Sequence, residues 1–185
     1  KGKVHFIKGT VTSKEDWLRA LEGQEYVIHL AAETGTGQSM YEIQKYVEVN
    51  IGGTALLLDI LTNSKHVVKK LLVAESRAIY GEGRYYSEDL NQYVYPSLRL
   101  EEEMSRGDFE VKYPGAIKPL RLVGTTEDAL IHPTSVYGIT KQVQVSPARV
   151  RLKPSISVLQ IPMAISPTGS MKTVQPDNYS HYQSP

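Results

Sequence analysis

Hydrophobic and polar positions along the first 144 residues change period several times, and each change predicts an element. Residues 3–7 form a short strand candidate. Thr12, Ser13, Lys14 and Glu15 have the pattern of a capping box, and Trp17, Leu18 and Leu21 follow at helical spacing. Residues 26–32 are a compact apolar run, the signature of a strand buried on both faces. Between residues 40 and 61, Ile43, Val47, Ile51, Ala55, Leu58 and Leu61 recur every three or four positions and predict one long helix with that face inward. Residues 71–74 make another buried strand, and a second helix is expected from Thr134 or Ser135 through Lys141. Strand alternating with helix predicts an α/β fold with a doubly wound parallel sheet.

The remaining residues read differently. Residues 145–185 hold one acidic residue, Asp177, and six of the ten prolines, too many for a helix of ordinary length. Residues 158–161 can make one short strand there. Residues 80–133 are irregular and rich in Tyr, Glu, Arg and Pro; a loop that long inside a compact domain is functional or disordered. Tyr85, Tyr86, Tyr93 and Tyr95 favour a partly ordered cover over a substrate site.

Charge and composition narrow the chemistry. With 21 basic and 20 acidic side chains and no basic block, the chain has no surface suited to nucleic acid or an anionic membrane. No apolar run reaches the roughly 20 residues that cross a bilayer. The absence of cysteine removes disulfides, thiolate metal sites and a cysteine nucleophile, and sits easily with a cytoplasmic protein. The five histidines show no pairing at metal-ligand spacing, so no metal site is expected.

Three pieces fall at predicted strand ends or on the helix that follows: residues 31–35, Ser76, and Tyr137 with Lys141. Ligands of doubly wound sheets bind at the carboxyl ends of the strands. Tyr137 and Lys141, four residues apart, share a helix face, and an ammonium beside a phenol favours the phenolate, which makes the tyrosine a usable general base. Ser76 can share the substrate hydroxyl's proton; alone, a serine there is more often a strand-end cap.

Tyr137-x-x-x-Lys141 with Ser76, the run His29-Leu30-Ala31-Ala32, and Ile79-Tyr80-Gly81 resemble the extended short-chain dehydrogenase/reductase superfamily, in particular its NAD-dependent nucleotide-sugar epimerases and dehydratases. The blocks Ala32-Glu33-Thr34-Gly35-Thr36-Gly37-Gln38-Ser39 and Ser76-Arg77-Ala78-Ile79-Tyr80-Gly81-Glu82-Gly83 look most like the dTDP-L-rhamnose 4-epimerase-like branch. The resemblance implies a Rossmann-like sheet, NAD as cofactor and a dTDP- or UDP-sugar as substrate. It implies that Tyr137 takes the sugar 4-hydroxyl proton with Ser76 bridging, while Lys141 holds the nicotinamide ribose. Leu30, Ala31 and Ala32 would line the dinucleotide together with Asn50, although Asn50 fits equally well as a buried helix asparagine bonded to backbone. Thr34, Gly35, Gln38 and Arg77 would face the substrate. Relatives pair as homodimers through the helices at 40–61 and 135–141. The dehydratases carry an Asp-Glu pair after the serine or threonine; Arg77 and Ala78 stand there instead, which disfavours dehydration.

The same resemblance leaves gaps. No glycine-rich strand–turn–helix fingerprint follows the first strand, so residues 3–7 would be the family's third strand, with the first βαβ unit and its phosphate loop lying before Lys1. Thr10 stands where the family places an adenine-side aspartate. The expectation is therefore an incomplete Rossmann-like domain over residues 1–144, followed by an aberrant Pro/Ser-rich tail at 145–185 of the kind a reading-frame shift produces. A catalytically inactive fragment or dimerising remnant is the alternative to an active epimerase. An exposed sheet edge, with Gly52 and Gly53 inside a helix at on the order of 1 kcal/mol each against alanine, predicts marginal stability.

Overall fold

The computed structural model describes residues 4–149 and 156–161. Its first helix, α1 (Lys14–Leu21), is capped by Ser13, whose hydroxyl accepts from Asp16 N at 3.2 Å. The cap thus stands one residue later than the Thr12 pattern predicts. Asp16 does not return the bond to the cap backbone; its carboxylate accepts from Thr10 N at 3.0 Å and pairs with Arg19. Trp17 donates from its indole nitrogen to Val11 O at 2.8 Å, pinning the approach to the helix. The strand expected at residues 3–7 is absent: residues 4–10 have no strand pairing, and Val4 and Phe6 face solvent. A strand needs a partner for its backbone groups, and none of the described residues supplies one.

The main sheet is parallel, in the order β1 (Tyr26–His29), β2 (Lys70–Ala74), β6 (Ser157–Ile161). Tyr26 pairs with Lys70 and His29 with Val73 on one side of β2; Lys70 pairs with Ser157 and Ala74 with Ile161 on the other. Leu71 and Val73 are fully buried and pack with Leu21, Leu57, Leu61, Val68 and Ile156 into the core, with Trp17 and Val27 at its margin. The strand expected at 158–161 is therefore the third strand of this sheet, and the boundary at Gln144 does not divide the fold. β1 is buried on one face only: Tyr26 and Ile28 are more than 60% exposed. As an edge strand with its helices on one side, it buries only the alternate positions that carry Val27 and His29.

The crossover from β1 to β2 contains α2 (Thr36–Ser39), α3 (Ile43–Tyr46), a π-helical segment (Val47–Gly52) and α4 (Gly53–Asn63). The single helix expected over 40–61 is thus three joined segments, and the predicted inward face holds only at its C-terminal end. Leu58 and Leu61 of that face are buried, while Ile43, Val47 and Ala55 lie outside and Tyr46, Asn50, Thr54 and Leu57 are buried instead. Over the first half a polar stripe, rather than an aliphatic one, meets the rest of the domain.

Residues 80–133 are ordered around a small antiparallel sheet, in the order β4 (Gln92–Val94), β3 (Tyr85–Ser87), β5 (Arg121–Leu122), with a short α5 (Glu101–Ser105). Arg84 lies 4.5 Å over the Tyr93 ring and Arg121 5.2 Å over Tyr86, two cation–π contacts that fasten this lobe. The last helix, α6 (Val136–Arg149), continues past Lys141.

The two glycines at the α4 boundary have opposite roles. An ideal Cβ on Gly52 would meet only Val47 O at 3.8 Å, whereas one on Gly53 would lie 2.7 Å from Val11 Cγ2 and 3.2 Å from Val11 O. Gly52→Ala should stabilise the chain by up to about 1 kcal/mol by restricting the unfolded backbone. Gly53→Ala should destabilise it by roughly 1–3 kcal/mol through overpacking. Urea unfolding midpoints of the two variants check the pair.

Candidate active site

The candidate site lies where β1 and β2 end and α6 begins. Ser135 opens α6 by accepting from Gly138 N at 3.1 Å. Gly138 then allows a close approach: a Cβ there would sit 2.6 Å from Ala78 O and 3.0 Å from Pro133 Cβ. Through that contact, the 3₁₀ turn Arg77–Tyr80 after β2 packs directly on the first turn of α6. Ser76, Tyr137 and Lys141 are thereby brought into one neighbourhood. Ser76 also caps the 3₁₀ turn, its hydroxyl accepting from Ala78 N at 3.2 Å, so the simple structural role is present beside the expected chemical one.

Lys141 is buried, its ammonium donating to Ala74 O at 2.7 Å and to Gln144 Oε1 at 2.5 Å. Burial lowers its pKa to about 8, against the pull of the Glu75 carboxylate, which favours the charged form. Beyond Gln144 lies His29, also buried, with its ring nitrogen 3.0 Å from the Thr54 hydroxyl. Burial first, and the Lys141 charge second, depress its pKa to about 4.

A second set of bonds fixes the segment after β1. Asn50 is completely buried; its Oδ1 accepts from Glu33 N at 2.8 Å, and its Nδ2 donates to Glu33 O at 3.1 Å and to Thr140 Oγ1 at 3.0 Å. Both amide hydrogens of Asn50 are thus spent inside the protein, which fits the alternative of a buried helix asparagine bonded to backbone. Tyr46 donates its hydroxyl to Thr34 O at 2.5 Å, with Gly35 O at 3.0 Å, and its ring stands edge-on to that of Tyr137, 6.4 Å between centroids. Ser39 is fully buried and accepts from Tyr137 N at 3.0 Å while donating to Thr36 O.

Leu30 and Ala31 are exposed at the end of β1, and Ala32 is half-buried. Thr34 and Gln38 are exposed, Gly35 sits at a positive φ of 111°, and Arg77 is exposed on the 3₁₀ turn. The structure therefore packs the turn that follows Ser76 on the helix carrying Tyr137 and Lys141, holds residues 33–39 close to that helix, and buries Asn50. Sequence reasoning missed Ser39, Tyr46, Thr140 and Gln144. One signal was available: Tyr46, Asn50 and Thr54 recur at four-residue spacing, a polar helix stripe of the kind that is buried only when its bonds are met.

A parallel sheet with helical crossovers and a tyrosine and lysine one turn apart at its strand ends define an α/β protein of Rossmann type. The chain belongs to the NAD dependent epimerase/dehydratase family, whose model matches residues 1–99. It is 33% identical over 174 residues to a dTDP-L-rhamnose 4-epimerase of Burkholderia thailandensis, covering 91% of this chain and 46% of that protein. Residues 1–144 are under four-fifths of the chain, so this likeness runs past Gln144. It is also 33% identical over 82 residues to UDP-glucose 4-epimerase 3 of Oryza sativa subsp. japonica, covering 43% of this chain and 21% of that one. Among solved structures, UDP-glucose 4-epimerase from Bifidobacterium longum in complex with NAD+ and UDP superposes with a TM-score of 0.57 at 21% identity, over 83% of this chain and 36% of that one. The chain thus spans less than half the length of each of these proteins.

Two measurements test the buried network. Asn50→Ala leaves Glu33 N and Thr140 without their partner and should cost roughly 2–3 kcal/mol in urea unfolding. The second concerns pH. His29 has its ordinary value of 6.5 when unfolded and about 4 when folded, so the unfolded chain binds the extra proton between those values. The stability His29 contributes is complete above pH 6.5 and is lost as pH falls towards 4, by about 3 kcal/mol in all. His29→Gln should flatten the unfolding free energy across that window.

Proposed function

We propose that this chain carries the reacting half of an NAD-dependent nucleotide-sugar 4-epimerase, acting on a dTDP- or UDP-linked sugar. The observation that carries the reading is Tyr137 and Lys141 on one helix, packed through Gly138 onto the turn that follows Ser76, in a chain of this family. The residues at the strand ends fit the nicotinamide half of a dinucleotide. Lys141 is an ammonium whose protein bonds use two of its three hydrogens, and exposed backbone at Leu30 and Ala31 gives a ribose and ring a surface to lie along. They do not by themselves fit the pyrophosphate: the helix after Gly35 is only four residues long.

When bound, NAD supplies an acceptor for the hydride at the sugar carbon and returns it to the opposite face. In that reading, Tyr137 removes the proton of the 4-hydroxyl through its phenol oxygen, and the nearby Lys141 charge lowers the cost of the phenolate. Ser76 bridges the hydroxyl and Tyr137. Residues 34–38, held by Tyr46 and Ser39, border the sugar, with Arg77 at the rim. Ala78 packs on Gly138 and Arg77 carries no carboxyl, so the acid and base a dehydration needs are missing from the positions after Ser76. The lack of cysteine supports a cytoplasmic location.

The second reading is a remnant that dimerises without turnover. Ile43, Val47, Ile139 and Val143 are exposed apolar residues on helices that pack together, a surface suited to a second copy. Incubating the chain with NAD and UDP-glucose or dTDP-L-rhamnose, with the sugar followed by proton NMR, separates the two. The epimerase reading expects the 4-epimer to appear and Tyr137→Phe to lower its rate at least a hundredfold with the fold retained. Equal rates for the two proteins overturn the assigned base. No epimer from the parent, with capture of a full-length relative in a pull-down, favours the remnant.

A further inference from the structure

We propose that Gln144 is a positioning residue for Lys141: its carboxamide oxygen, with the Ala74 carbonyl, fixes where the ammonium sits. The argument is one of proton accounting. An ammonium donates and never accepts, so the Gln144 atom 2.5 Å from Lys141 Nζ is necessarily the oxygen. That choice turns the Gln144 NH₂ towards His29 Nε2, 3.4 Å away. Thr54 gives its one hydroxyl hydrogen to Asn50 O at 2.8 Å, so its 3.0 Å contact with His29 Nε2 is a hydrogen bond when that nitrogen carries the proton, and the 3.4 Å approach of the Gln144 NH₂ is packing. A charged His29 would place a second cation near Lys141.

The groups that face the ammonium are therefore few and come from every side of the site. His29 stands on β1 and Glu75 follows β2, while Tyr137 and Gln144 are one turn before and one turn after Lys141 on α6. Gln144 is the one among them that does not titrate, and it is completely buried. A neutral acceptor stabilises the ammonium without cancelling its charge. A carboxylate at the same place would pair with it and cancel that charge. Among the described residues two acceptors, Ala74 O and Gln144 Oε1, hold the ammonium, which leaves one N–H for a ligand hydroxyl. That use of the third N–H rests on the function proposed above; the hydrogen bond to Gln144 does not.

The test follows Lys141 directly. The full chain is labelled with ¹³C at lysine Cε, the Lys141 resonance is assigned by its disappearance in Lys141→Met, and its shift is followed against pH without any cofactor. The parent should titrate well below an ordinary lysine. Gln144→Met, of similar length but with no acceptor oxygen, should move the midpoint down by about one pH unit or more. Gln144→Glu should move it up by a similar amount. A purely structural role for residue 144 changes the unfolding midpoint without shifts of opposite sign in the two variants. The proposal is overturned if the parent Lys141 titrates like a surface lysine, or if either folded variant leaves its midpoint unmoved. Failure of NAD to bind would count against the epimerase reading and leave this titration unaffected.

Discussion

The arrangement depends on one buried side chain, Asn50, whose carboxamide satisfies both backbone groups of Glu33 and the hydroxyl of Thr140. Asn50 and its partners belong to three segments far apart in sequence: the π-helical segment, the chain leaving β1 and α6. Without a donor and an acceptor in that place, the Glu33 backbone would be buried unpaired, at a cost of about 1–3 kcal/mol for each group. The two amide hydrogens and the oxygen have fixed directions, so the bonds set the angle at which the segment departs from the sheet as well as its distance from α6. Tyr46 and Ser39 then hold that segment to the helix turn that carries Tyr137. The site is a consequence of how the crossover is tied.

Asn50 stands in the π-helical segment, on an inward stripe that begins with Tyr46 before it and continues with Thr54 after it. Thr54 bonds back to Asn50 O at 2.8 Å, which satisfies a carbonyl inside that irregular segment. A polar stripe in the interior is stable only when every member finds a partner, and it specifies one packing more sharply than aliphatic contacts do. Here the irregularity and the specificity come together.

This also explains which parts were legible beforehand. Two of the three strands of the parallel sheet were readable from their apolar runs, and the third from a four-residue run, because backbone pairing and β-branched content are local properties. Tyr137, Lys141 and Ser76 stand out in the sequence by spacing and placement, whatever surrounds them. Helix phase was misread because hydrophobic periodicity ranks aliphatic residues above a polar stripe, and Tyr46, Asn50 and Thr54 are buried only because their bonds are met. Burial of β1 was over-read for a related reason, since an apolar strand looks the same in sequence whether helices cover one face or both. The partners of Lys141 lie at the β2 end and one turn further along α6, with His29 of β1 beyond Gln144, a juxtaposition that exists only after the sheet and helix have met.

Lys141 shows how the interior sets the chemistry available to the site. Placed in water, its ammonium would be screened and would influence a neighbouring phenol weakly; buried, it exerts a stronger field but pays in desolvation, which is why its pKa falls to about 8. The Ala74 carbonyl and the Gln144 oxygen offset part of that cost while leaving the positive charge whole. The result is a cation that remains charged at neutral pH yet is close to giving up its proton. Among the described residues that balance is set at the β2 end and on α6, with His29 of β1 behind Gln144, so it follows from how the sheet and the last helix meet.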